Sequence, residues 1–219
     1  MLFAPYITKP TSVAQIMRQV LLALIPGIAL YVWYFGPAIL VSITLASITA
    51  LATEAAMLKL RKRPIAPFLK DNSALLTAWL LALAIPPLAP WWLVVVGTAF
   101  AIAIAKQLYG GLGNNPFNPA MIGYAVLIIS FPLPMTQWLS PQSLAQNSLS
   151  FSEQLAYIFT QVLPNSLKFD AITMATPLDT VKTHLGQGEP LSQIKSSNVG
   201  AGSGKMTSAE RRQHPLYRV

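Results

Sequence analysis

The sequence predicts an all-α membrane protein, a polytopic bundle of about five transmembrane helices. Composition and charge placement point there together. Of the 219 residues, 53% are hydrophobic and only 10% are charged, whereas soluble domains carry about 25% charged residues. Five long apolar stretches contain almost none of the charges, and the basic residues crowd into one loop and the chain ends. A net charge of +8 distributed in this way does not describe a nucleic-acid surface, and no nucleic-acid partner is expected; the lipid bilayer is the expected surrounding.

A spanning helix needs roughly 20 apolar residues, with a range of about 17 to 25. The first stretch, Val20 to Phe35, is short and interrupted by Pro26-Gly27. The second, Ile39 to Leu58, is long enough to span. The third, Ala74 to Leu88, is short and ends in prolines. The fourth, Trp91 to Leu108, and the fifth, Pro119 to Trp138, again qualify. The interrupted first and third stretches point to a buried binding site. Lipid cannot satisfy free backbone groups, so a broken span must be shielded by protein or line a cavity. The first 19 residues show no cleavage motif, so the first span is expected to act as its own insertion signal.

Basic residues set the orientation. Lys9, Arg18, Lys59, Arg61, Lys62, Arg63, Lys70 and Lys106 fall on one side, while the turns at Gly36 and Ala89-Pro90 hold none. The positive-inside rule puts the N-terminus and the Lys59–Lys70 loop in the cytoplasm. Trp33, Trp91, Trp92 and Trp138 fall at the opposite ends, as interfacial anchors do. Five spans leave everything after Trp138 on the far side, which is the periplasm of a bacterium with the chain in its inner membrane.

The chain divides into a transmembrane bundle (1–138), a periplasmic loop (139–195) and a polar basic tail (196–219) expected to be disordered. Phe151 to Leu163 has helical spacing suited to a membrane surface. The tail run Gly200–Met206 is not a phosphate loop: the first glycine of that pattern falls on Val199, and Met206 replaces the Ser/Thr after Lys205.

Cysteine is absent and both histidines, His184 and His214, lie outside the apolar segments. Iron–sulfur ligation by this chain and a bis-histidine haem within the bundle are therefore excluded. Any electron carrier here would be organic.

Three places could carry chemistry. Asp170-Ala-Ile-Thr173-Met-Ala-Thr176-Pro is a threonine-rich loop with one acid. Lys106 to Ala120 sets Gly110, Gly111 and Gly113 and Asn114, Asn115 and Asn118 between two spans. Read alone, it either caps the fifth span or offers amides to the polar edge of a ligand ring. Glu54 and Lys106 end the second and fourth spans. Lys106 is expected to snorkel to the interface, and Glu54 either joins an ion path or pairs with the basic loop.

The stretch from Ser12 to Lys195 resembles the family of D subunits of Rnf ion-translocating electron-transport complexes, related to the B subunits of sodium-translocating NADH:quinone reductases. Thr49-Ala-Leu with Glu54-Ala55, Asp71-Asn-Ser-Ala-Leu-Leu-Thr-Ala78, Ala89-Pro-Trp-Trp92 and the Lys106–Ala120 run carry the resemblance. Asp170 to Thr176 matches that family's flavinylation motif. The resemblance implies FMN esterified through its phosphate to Thr176, with Asp170 and Thr173 as motif positions. It also implies a periplasmic flavin transferase for maturation and the other subunits of the complex as partners. A second, non-covalent flavin (riboflavin or FMN) is implied near Asn115 and Asn118, with Thr77 as a further candidate. The implied function is electron relay coupled to H⁺ or Na⁺ movement, with no activity expected of the chain alone. Family members have about ten spans in two related halves, and this chain resembles the first half. The interrupted spans also fit a non-redox channel or secondary transporter for a small solute, a reading that leaves the Asp170–Thr176 motif unexplained.

Overall fold

A computed structural model of the protein describes residues 12–111, 113–139, 141 and 149–162. They fold as helices: α1 (Val13–Phe35), α2 (Ala38–Leu60), α3 (Ile65–Leu69), α4 (Ser73–Ala84), α5 (Trp91–Phe100), α6 (Pro119–Ser130), α7 (Pro132–Thr136) and α8 (Phe151–Thr160). A π-helical segment, Ala101–Leu108, continues α5 without a break. Three of these helices are long and apolar enough to cross a membrane: α1, α2 and the combined Trp91–Leu108 rod.

Helix α1 begins in a capping box. The Gln15 N–H donates to Ser12 Oγ at 3.3 Å, and the Ser12 N–H donates to the Gln15 side chain at 3.1 Å. The expected interruption at Pro26-Gly27 does not occur; the helix runs 23 residues through Pro26. Proline removes one backbone donor and strains the preceding turn, which this apolar rod accommodates. Only Leu21 and Ile28 of α1 are buried. Gly36, at φ 90°, turns the chain into α2.

Helix α2 is central. Ser42, Ala46, Ala50, Glu54 and Leu58 recur every four residues along its buried face. On α4, Ala74, Ala78 and Ala82 form a matching row. Rows of small residues let two backbones approach, which substitutes in lipid for a hydrophobic drive. These alanines share one core with Ile28, Ile39, Ile43, Val94 and Ile102. Past α2, Lys62 takes the left-handed conformation (φ 53°), with the Arg63 N–H bonded back to Leu58 O at 3.0 Å.

The third apolar stretch is helical for only 12 residues and stops at Ala84, not Leu88. Pro86-Pro87 disfavours helix at the preceding residue and supplies no donors. Ile85 to Pro90 is irregular and largely buried, so the broken span is shielded by protein, as lipid demands. The fifth stretch is likewise shorter than its apolar run. Helix α6 ends at Ser130 because Pro132 forces Phe131 out of helical geometry (φ −135°, ψ 60°). Pro119 occupies its first turn, after Asn118 as N-cap.

Helix α8 fulfils the periodicity of its sequence. Ser150 and Glu153 form a capping box, and Gln154, Tyr157 and Ile158 are buried on one face. Leu149, Tyr157 and Ile158 pack with Ala38 and Leu88.

Candidate functional site

Burying a charge in a membrane bundle is costly unless it is paired and hydrogen-bonded. At one end of the bundle, α2, α4 and the π-helical segment bury such a pair. Glu54, on the small-residue row of α2, is 1% exposed, and Lys106, on the π-helical segment, is 2% exposed. The Lys106 ammonium donates to Glu54 Oε1. It also donates to Ser73 Oγ at 2.7 Å.

Lys106 therefore does not snorkel. Its side chain turns inward because a carboxylate and a hydroxyl lie within reach, and the paired charge replaces the water it gives up. Of the two expectations for Glu54, an ion path or the basic loop, the second holds only indirectly. Its direct partner is Lys106. Gln107 Nε2 also donates to Glu54 Oε1 at 2.9 Å. The Arg61 guanidinium, from the basic loop, donates to Gln107 Oε1 at 3.0 Å and to the Gln107 carbonyl at 2.8 Å.

Ser73 starts α4, and its position is fixed by Asp71. Asp71 Oδ1 accepts from the Ser73 N–H at 2.7 Å and from the Ser73 hydroxyl at 2.6 Å. Asn72 between them is held left-handed at φ 60°, a conformation Asn tolerates better than most residues. One chain of contacts thus runs from Arg61 through Gln107, Glu54, Lys106 and Ser73 to Asp71.

A cavity of about 190 Å³ opens on this network, lined by Glu54, Asp71, Lys106, Gln107, Arg63 and Asn114 among others. Glu54 Oε2 is buried and has no hydrogen-bond partner among the described residues. A buried carboxylate oxygen without a donor is costly in protein, and this one belongs to a residue that lines the cavity. The arrangement suits a cation or a proton more than an apolar ligand.

Several expected site residues lie elsewhere. Asn118 Oδ1 caps α6 by accepting from the Ala120 N–H at 3.0 Å. Asn115 Nδ2 donates to the Phe117 carbonyl at 2.8 Å. Thr77 is 7% exposed and donates to the Ser73 carbonyl at 2.9 Å. None of these three lines the cavity; Asn114, Gly110 and Gly111 represent the Asn- and Gly-rich loop there. Asp170, Thr173 and Thr176 lie outside the described residues. Sequence reasoning alone does not single out Asp71, Ser73 and Gln107 as site residues. The available signal is an acid and a base at the same end of two apolar spans, with Asp-Asn-Ser beginning the span between them.

A family model, "NQR2, RnfD, RnfE family", matches residues 1–210. The chain is 53% identical over 212 residues to the D subunit of the ion-translocating oxidoreductase complex of Shigella dysenteriae serotype 1, covering 92% of this chain and 60% of that protein. The D subunits of the same complex from Citrobacter koseri and Klebsiella pneumoniae are each 53% identical over 206 residues, covering 91% of this chain and 59% of theirs. The chain thus spans about three fifths of the length of these curated relatives.

Proposed function

The chain belongs to the NQR2, RnfD, RnfE family, and from that premise we propose that it is a membrane subunit of an ion-translocating oxidoreductase complex. Half-identity to relatives bearing that name carries the reading. Within it, Thr176 bears FMN through a phosphoester, in a loop on the periplasmic face of a bacterial inner membrane. A flavin held there would supply redox chemistry in one- or two-electron steps. The threonine hydroxyl is a poor nucleophile unless activated, so a periplasmic flavin transferase makes the attachment, breaking the pyrophosphate of FAD and releasing AMP, with Asp170 and Thr173 as part of the sequence it reads.

The bundle's part is to conduct the coupled ion, H⁺ or Na⁺. Glu54 supplies the charged step on that path. Its buried carboxylate, the oxygen without a partner among the described residues and the adjoining cavity support this role. The other subunits of the complex supply the electron donor and acceptor.

The flavin assignment is tested by producing the chain with its flavin transferase and reading in-gel flavin fluorescence. The expected result is a fluorescent band that disappears in Thr176→Ala. A dark wild-type band, or a fluorescent T176A band, overturns the assignment.

A further inference from the structure

We propose that Lys106 is a built-in competitor for an alkali cation at Glu54: the carboxylate holds either the ammonium or the cation, not both. The proposal rests on the reading of Glu54 as an ion-path residue and specifies how that step is controlled.

The first argument is charge balance. Among the cavity-lining side chains, Glu54 and Asp71 oppose Lys106 and Arg63, so their formal charges cancel. A cation reaching Glu54 while Lys106 is still bound would put two positive charges on one carboxylate. That repulsion is relieved only if the ammonium gives up Glu54 for another carboxylate.

The second is donor chemistry. Glu54 Oε2 is buried and has no partner among the described residues. Asp71 and Asn114, which carry further oxygens, line the same cavity. Hard oxygen ligands of this kind suit an alkali or alkaline-earth cation rather than a soft metal. A volume of about 190 Å³ leaves room for the ion with some of its water, since one water takes about 30 Å³ of liquid volume.

The third is the place to which Lys106 can withdraw. Its ammonium already touches Ser73 Oγ, whose hydroxyl donates to Asp71. Moving from Glu54 towards Ser73 and Asp71 keeps the ammonium hydrogen-bonded and beside a carboxylate. A flexible four-carbon stem permits the move, and π-helical segments are sites of local irregularity that recur where function needs it.

The test uses the whole chain in detergent, comparing sodium chloride with choline chloride at equal ionic strength. Acetylation of each lysine is followed by mass spectrometry. Sodium is expected to raise the labelling rate of Lys106 several-fold while Lys59, Lys62 and Lys70 stay unchanged. A Lys106 rate that is the same in both salts, or that responds to pH alone, overturns the proposal. A second arm follows Tm. Lys106→Met is expected to gain a saturable sodium-dependent rise exceeding that of the wild type. At ten times the dissociation constant the rise is roughly 3–6 °C. Glu54→Gln/Lys106→Met is expected to lose it. A Lys106→Met protein no more sodium-sensitive than the wild type also overturns the proposal. If that variant does not fold, wild-type labelling decides alone. Flavin fluorescence at Thr176 is read separately, so a flavinylated chain without a sodium effect sinks this inference and leaves the redox reading standing.

Discussion

The two halves of the rod from Trp91 to Leu108 solve the same packing problem in different ways. In the α-helical half, contact is made by removing side chains. A Cβ added at Gly97 would sit 2.4 Å from Leu127 Cδ1, and one added at Gly123 on α6 would sit 2.9 Å from the Gly97 carbonyl oxygen. In the π-helical half, polar groups add a second kind of contact, with Lys106 and Gln107 both bonded to Glu54. Lipid offers no hydrophobic drive between helices. An apolar contact must therefore be very close, and a polar one fully partnered. The first half should respond to volume and ignore ions; the second should respond to ions.

The largest expected effect breaks the polar half. Lys106→Ala leaves the Glu54 carboxylate buried and unpaired, at a cost of about 3–5 kcal/mol. Thermal unfolding in detergent should show it, and adding Glu54→Leu should recover much of the loss. Failure of the second substitution to recover stability would mean that the pair does not act as a unit. Next comes the apolar half. Gly123→Ala presses a methyl onto the Gly97 carbonyl, 2.9 Å away. Overpacking of this kind costs about 1–3 kcal/mol. Its melting shift should be the same in sodium and choline salts; a salt-dependent shift would blur the distinction between the halves.

Ser73→Ala is smaller again, about 1–2 kcal/mol, because it removes one acceptor from Lys106 and one donor from Asp71 while the Glu54 contact remains. The variant's melting curve measures it. The smallest effect lies outside the rod, in α8. Glu153 is held below the ordinary carboxylate range, first by the Ser150 hydroxyl and then by the Ser150 backbone N–H. A depressed carboxyl contributes stability above its unfolded value and loses it as pH falls through the folded one. Hydrogen exchange of α8 should therefore show weaker protection at about pH 3 than at about pH 6 once intrinsic rates are corrected, and the difference should shrink in Glu153→Gln.

The all-α membrane class and the existence of the long helices are legible in the sequence, but the helix ends are not. Apolar character reports burial rather than helicity. Ile85 to Pro90 is apolar because protein surrounds it, and for that reason it reads as the tail of a span. Pro26 reads as an interruption, yet one missing donor does not outweigh a long apolar helix. Glu54 stands out because a carboxylate in an apolar run is rare. The inward turn of Lys106 does not, since its partner lies 52 residues away and snorkelling competes at any helix end. Thr176 is legible only through the resemblance of its motif.

The row Ser42, Ala46, Ala50, Glu54, Leu58 on α2 has a consequence beyond cohesion. The spacing between α2 and α4 is set by methyl groups, so alanine volume acts as a gauge for the distance across which the buried charges meet. A single added methylene at Ala46 or Ala50 would be felt at Glu54 as misalignment, two turns or one turn away. Selection on the chemistry of the charged end would then fall equally on the blandest residues of the helix, whose size fixes where the carboxylate stands.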